Sequence, residues 1–319
     1  MMLDAKGSDW LAEKIRIKNL QWWDDVLGDL KSLGGPSVFH INPIGIISNF
    51  FSLNGGGSGG CIKESDALVL ALRVSTGFEG RTELDYGALA GDFDGQGTSF
   101  GLIQWNFGQN TLGPLLSRMR QSDPSGFSAC FPQEANYTVL SDALTNSDQG
   151  AQLRWARGIQ RNDNRAWRTV FRKISENETF RKIQLSAATD DYKVFVHQSI
   201  RDLRAIAPEL MKKVEVLTYV ALYDLAVQQG GLRSRDTLGK IKARFLQEKP
   251  GSQKELLTIA VQERGLTASS RWVADATSRR MGIVTGRAHR VSFGGYTAER
   301  DNANFGLVSK DAANHVCDI

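Results

Sequence analysis

Gly77-Phe78-Glu79-Gly80, followed by Asp92-Phe93-Asp94-Gly95-Gln96-Gly97-Thr98-Ser99-Phe100-Gly101, holds the two acids from which this chain is best read. The first stretch puts a glutamate just past an apolar helix, and the second puts Asp94, fifteen residues further on, in a glycine-rich turn. Cleavage of a glycosidic bond needs one protonated carboxyl to donate to the leaving oxygen. It also needs one ionised carboxylate on the other side of the sugar, as water-activating base or nucleophile. Glu79 suits the acid, because a helix C-terminus and the neighbouring Phe78 both disfavour its ionised form. Asp94 suits the charged partner, since Gly91, Gly95, Gly97 and Gly101 allow close approach of backbone and sugar and leave amide donors free to hold the charge. Taken singly, Glu79 reads as a solvated acid in a turn and Asp94 as an aspartate capping its own backbone. The pair together with the glycines favours chemistry.

Outward from this pair the pattern is mostly helical. Ala67 to Val74 is apolar nearly all round and predicts a buried helix capped by Ser65 or Asp66 and ended by Gly77. Thr98 to Asn106 predicts a short strand or hairpin arm, and Asn110-Thr111 with Pro114 opens a helix through about Met119. Residues 121–134 read as a loop. Apolar residues at three-and-four spacing then predict helices over 148–161, 165–184, 191–204, 207–229, 235–247, 252–264 and 268–282. Gly230-Gly231 and Gly282 read as helix terminators, and the sequence from Val284 onward is aromatic, polar and poorly periodic. The fold class expected is mainly α. Upstream, residues 8–33 form one amphipathic helical pattern and Asn54 to Gly60 a flexible tether, so 1–60 reads as an N-terminal helix, arm and linker ahead of a domain at 61–319.

Composition excludes several classes. The 319 residues are 41% hydrophobic and 23% charged, which is ordinary for a globular protein and unlike collagen-like, coiled-coil or low-complexity chains. A net charge of +4 is too small a bias to imply nucleic acid, though it disfavours a strongly cationic polymer as substrate. The longest apolar candidate, 38–53, is interrupted by polar residues and a proline, so no membrane insertion is expected. Met1 to Lys6 lacks the basic-then-apolar order of a signal peptide.

Other candidates are weaker. Gln104, Trp105 and Asn106 follow the glycine-rich turn, where an indole stacks on a sugar and amides bond hydroxyls or acetamido groups; a buried structural tryptophan fits Trp105 equally. Tyr223, Asp224 and Gln228 could line an opposing cleft wall, with capping or surface roles as the plainer reading. Arg279 and Arg280 could meet acidic peptides, yet arginines in a last helical turn also favour the helix dipole, and that reading is preferred. Asp92 to Gly97 imitates the start of a calcium loop, but Ile103 occupies the position where a bidentate acid is required. No metal or cofactor is expected, and the four histidines never approach ligand spacing. Cys61, Cys130 and Cys317 allow at most one bridge, and three free thiols are the preferred reading.

Glu79 and Asp94-Gly95-Gln96-Gly97, with Thr98-Ser99-Phe100-Gly101-Leu102-Ile103, resemble the catalytic segment of family 46 chitosanases. That resemblance implies an inverting enzyme with a two-lobed lysozyme-like helical fold, Glu79 as acid, Asp94 as base, and Ser99 in place of a threonine that helps hold the attacking water. The longer string Gly91 to Gln109 is similar to the peptidoglycan-cleaving lysozyme domains of bacterial type VI secretion effectors, as are His40 to Gly45, Arg271-Trp272 and Arg279 to Gly282. It implies a muramidase-type hydrolase, delivered without a signal peptide to act on peptidoglycan in the periplasm of target bacteria, with an immunity protein and a secretion-apparatus component as partners. A chitosanase and a non-catalytic wall-binding module are the alternatives.

Overall fold

The structure, a computed structural model, describes residues 61–78, 84–309 and 314–319. The chain divides into Met1–Gly57 and Ser58–Ile319, and every described residue belongs to the second unit. The expected helix over 8–33, the tether and Glu79 all lie outside the described residues.

Strand β1 (Cys61–Ile62) leads into α1 (Glu64–Gly77), after which β2 (Leu89–Ala90), β3 (Ser99–Phe100) and β4 (Trp105–Asn106) form a small antiparallel sheet. Five helices follow: α2 (Leu112–Ser122), α3 (Pro124–Ser128), α4 (Glu134–Thr145), α5 (Gln149–Asn162) and α6 (Asn164–Glu176). They pack in chain order, α2 on α3 and α4, α4 on α5, and α5 on α6. Helix α7 (Glu178–Ile206) has 29 residues and is about 43 Å long at 1.5 Å per residue. It touches α2 and α6 on one side and α1 and α8 (Val216–Gln229) on the other, so it joins two helical lobes. The second lobe is built on α1 and α8 with α9 (Thr237–Glu248), α10 (Gln253–Gly265), α11 (Ser270–Thr285) and α12 (Phe305–Ser309). Every residue of α8 from Val216 to Ala226 is buried, as suits a helix apolar on all faces. The architecture is mainly helical, as the periodicity predicts.

Several boundaries differ from the expectation for identifiable reasons. The pattern over 165–184 runs through Asn177, whose side-chain oxygen accepts the Phe180 N–H and starts α7 there, so one break replaces another. The stretch 207–215 is not helical, because Ala207 precedes Pro208 and takes an extended-side φ of −135°. Lys63, not Ser65 or Asp66, stands at the start of α1. Gly282 lies inside α11, and Gly286 ends that helix with φ of 71°. Within the expected loop, Asp123 caps α3. Other elements escape the periodicity, among them α4 and a hairpin of β5 (His289–Phe293) and β6 (Tyr296–Arg300) turning at Gly294-Gly295.

The preference for three free thiols is overturned. Cys61 and Cys317 form a disulfide, with their Cα atoms 5.1 Å apart. The sequence places them 256 residues apart, but β1 pairs in parallel with β7 (His315–Val316), which brings the two ends of the domain side by side. Cys130 remains a free, buried thiol, and burial pushes its pKa up to about 11.

Candidate active site

Asp94 sits in the turn between β2 and β3, and that turn is bolted to the first lobe. Asp92 accepts the Gly97 N–H (2.6 Å) and the Arg157 Nε–H (2.7 Å), while Arg157 Nη2 also donates to the Gly95 carbonyl at 2.8 Å. Burial alone would raise the Asp92 carboxyl, but the Arg157 guanidinium and the Gly97 amide hold it below the ordinary carboxylate range. Gln160 donates to the Gly97 carbonyl (2.6 Å) and Thr98 Oγ1 (3.0 Å), and Trp167 Nε1 donates to the same hydroxyl at 3.1 Å. The Asp92 carboxylate is thereby engaged by the Arg157 guanidinium and the Gly97 amide. Two glycines make the turn feasible. Gly97 and Gly101 both have φ of +81°, and a methyl at either would strike Leu153 or Gln184. Asp94 itself is exposed and accepts the Gln96 N–H at 3.1 Å, the self-capping arrangement anticipated as its plainer reading.

Beside this turn lies an open cavity of about 320 Å³. The turn and sheet supply Phe93, Asp94, Ser99, Gln104, Asn106 and Gln109; the second lobe supplies Ser75 and Thr76 of α1, Val227 and Gln228 of α8, and Arg279 of α11. The structure thus brings Asp94, Ser99, Gln104, Asn106 and Gln228 to one hollow. Gln104 holds φ of +58° and donates to the Ala88 and Gly101 carbonyls, both at 3.2 Å. Asn106 Oδ1 accepts the Gln109 N–H at 2.7 Å. Gln228 Oε1 accepts from Arg280 at 2.6 Å.

Three expected contact residues stand elsewhere. Trp105 is buried behind the sheet, close to Gly101, and does not line the hollow. Tyr223 is fully buried, donating its hydroxyl to the Ala188 carbonyl at 2.7 Å. Asp224 is also fully buried, bonded by Arg279 through Nε (3.0 and 3.1 Å) and Nη2 (2.7 Å). Their helix is apolar on every side, so positions that would face solvent on an amphipathic helix face core here. Burial would raise the Asp224 carboxyl, but Arg279, with Arg280 behind it, keeps it below the ordinary range. Arg279 and Arg280 lie in the middle of α11, not in its last turn, and burial pulls Arg280 down to about 10.

This ion pair reaches the end of α1. The last carbonyls of a helix lack partners within it, and here the chain's C-terminal part provides them. Asn304 Nδ2 donates to Arg73 O and Asn302 Nδ2 to Val74 O, both at 2.7 Å; Arg279 Nη2 donates to Ser75 O at 3.0 Å and Ala303 N to Gly77 O at 3.2 Å. Gly77 serves this approach instead of a left-handed stop, since an added methyl would collide with Asn302 Oδ1. Phe78 is held between the Phe305 ring, centroids 5.7 Å apart, and the Arg279 guanidinium 4.2 Å above it. The helix end that leads into Glu79 therefore carries a cation, which offsets the negative pole assigned to it from sequence.

Sequence reasoning missed Phe93, Gln109, Ser75 and Thr76. Phe93 is 85% exposed beside Asp94, and a large apolar side chain between two acids was a signal available in the sequence.

No protein-family model matches the chain, and no curated protein matches it. Among solved structures it is similar to chitosanases. Chitosanase OU01 crystallised with substrate is 17% identical, aligned over 76% of this chain and 100% of that one with a TM-score of 0.45. The family 46 chitosanase of Gynuella sunshinyii in complex with chitotetraose is 16% identical over 73% and 96%, with a TM-score of 0.45. The native chitosanase of Bacillus subtilis is 15% identical over 74% and 99%, with a TM-score of 0.46.

Proposed function

We propose that the chain is a glycoside hydrolase that cuts the β-1,4-linked glycan of peptidoglycan, with Glu79 as general acid, Asp94 as general base and Ser99 helping to hold the attacking water. The observation that carries this reading is the hollow between the lobes: an exposed carboxylate on a rigid glycine turn, a hydroxyl beside it, and amide side chains around them. Glu79 follows Thr76, which lines the same hollow, by three residues. In the reaction the acid protonates the leaving oxygen while Asp94 removes a proton from water approaching the other face of the ring. Gln104, Asn106, Gln109 and Gln228 offer both donors and acceptors, which suits acetamido and hydroxyl groups.

Charge favours an N-acetylated strand over chitosan. The described lining has one carboxylate, Asp94, and one guanidinium, Arg279, whereas a polycation calls for a surplus of acids. Action in the periplasm of a target cell, after delivery without a signal peptide, completes the reading, with an immunity protein and a secretion component as partners and 1–60 as the docking arm. The Cys61–Cys317 disulfide supports an oxidising site of action.

The test compares clearing of purified sacculi with reducing ends released from chitosan. Sacculi should be cleared and chitosan spared. Glu79→Gln and Asp94→Asn should each lower the rate by roughly 10²–10⁴-fold, and Ser99→Ala by about tenfold, the worth of one hydrogen bond. Cleavage of chitosan but not sacculi would overturn the substrate, and wild-type rates in Asp94→Asn would overturn the mechanism.

A further inference from the structure

The α5–α6 pair is strongly cationic. Residues 149–176, the α5–α6 pair, hold seven basic residues against two acidic ones, a net +5 in a chain whose total is +4. Six of the seven are arginines at a repeated spacing: Arg154, Arg157 and Arg161 on α5, and Arg165, Arg168 and Arg172 on α6. Intervals of three and four put each trio on one helical face.

Three of these arginines are accounted for. Arg157 holds Asp92, Arg172 pairs with Glu176 one turn on, and Arg154 lies loosely beside Asp148 at 3.8 Å. The central three are exposed and have no carboxylate partner among the described residues; Arg168 rests on the Trp167 ring and bonds Asn164. Both helices also bond the turn that carries Asp94, α5 through Arg157 and Gln160 and α6 through Trp167. Arg161 follows Gln160, Arg168 lies on the Trp167 ring and Arg165 stands between them in the chain near the α5–α6 corner, so this charge belongs to the helices behind the turn and not to the lining of the hollow. Guanidinium groups bind carboxylates in a planar, two-pronged manner that lysine cannot copy.

We propose that this arginine face, centred on Arg161, Arg165 and Arg168, is a second binding site for the carboxylates of peptide side chains that branch from the glycan strand lying in the hollow. The inference rests on the peptidoglycan reading above. A glycan threaded past Asp94 carries its peptides outward, and a flanking cationic surface holds them without entering the chemistry. Exposed pairs are individually weak and screened within about 8 Å at physiological salt, so the site acts by adding several contacts along a strand.

The experiment uses the full chain and two substrates, intact sacculi and glycan strands stripped of peptides by an amidase. Arg161→Glu/Arg165→Glu should lower kcat/KM on intact sacculi by roughly fivefold, the worth of two exposed ion pairs, and leave the stripped strands unaffected. Arg161→Lys/Arg165→Lys should recover part of the loss. The preference of the wild type for intact sacculi should vanish in 0.5 M salt. Equal losses on both substrates, or none on sacculi, would overturn the proposal while leaving the hydrolase standing. Pull-down of the Asp94→Asn protein separates the two readings further. Arginine- and peptide-dependent binding by this variant, together with a wild type that hydrolyses neither substrate, would uphold the site and remove the enzyme, whereas arginine-independent binding would remove the site.

Discussion

Phe93 places an apolar ring in water between Asp92, which is tied to Arg157, and Asp94, which faces the hollow. An exposed ring gains nothing for folding, and a sugar face stacked on it would cover it. Phe93→Ala should leave thermal stability unchanged and raise KM on sacculi by roughly three- to tenfold, in line with about 0.5–1.5 kcal/mol for an aromatic contact. Asp224 is the opposite case. It takes no part in lining the hollow, yet it pairs with Arg279 and offsets part of the charge of Arg280 in the core. Removing one partner of a buried ion pair leaves the other uncompensated, so Asp224→Ala should cost roughly 3–5 kcal/mol in urea unfolding. The pH dependence has a definite sign. Asp224 and Asp92 are both held below their unfolded value of about 3.9, so their stabilisation is present above that value and is lost as pH falls toward their folded values. Thermal scans should show a decline in Tm below about pH 4, and in Asp224→Ala that decline should be shallower.

At the level of elements, the end of α1 shows what pattern reading can and cannot supply. The apolar run 67–74 is legible as a buried helix, because burial on all sides requires apolar residues on all sides. What finishes the helix is not legible. Its carbonyls are met by Asn302, Ala303, Asn304 and Arg279, more than 200 residues away in the chain, and no local rule anticipates such partners. Gly77→Ala tests this join. The methyl would push Asn302 aside, costing about 1–3 kcal/mol as overpacking does. Because the same residues anchor the approach to Glu79, kcat should fall more than KM rises. The candidate site divides in the same way. Asp94, Ser99, Gln104 and Asn106 lie on one short turn and sheet, so spacing alone gathers them. The opposite wall comes from three distant helices, and there the choice of Tyr223 and Asp224 misjudged which faces of α8 meet the core.

Across the whole domain, α7 joins the two lobes, while the first and last strands are joined through Cys61 and Cys317. Even cysteine count and spacing gave no sign of that pairing, since it depends on where the ends of the domain meet. The chain-entropy model gives a bridge over so long a loop up to about 5 kcal/mol. Reduction, or Cys61→Ser, should therefore lower Tm measurably. Alkylation under native conditions should modify none of the three cysteines, and unfolding without reductant should expose Cys130 alone.

The bridge also turns the body into a covalent ring. A protease that cuts anywhere between Cys61 and Cys317 opens the ring without parting it, so both pieces migrate as one species until a reductant is added. A cut ahead of Cys61 sheds the upstream segment and leaves the ring whole.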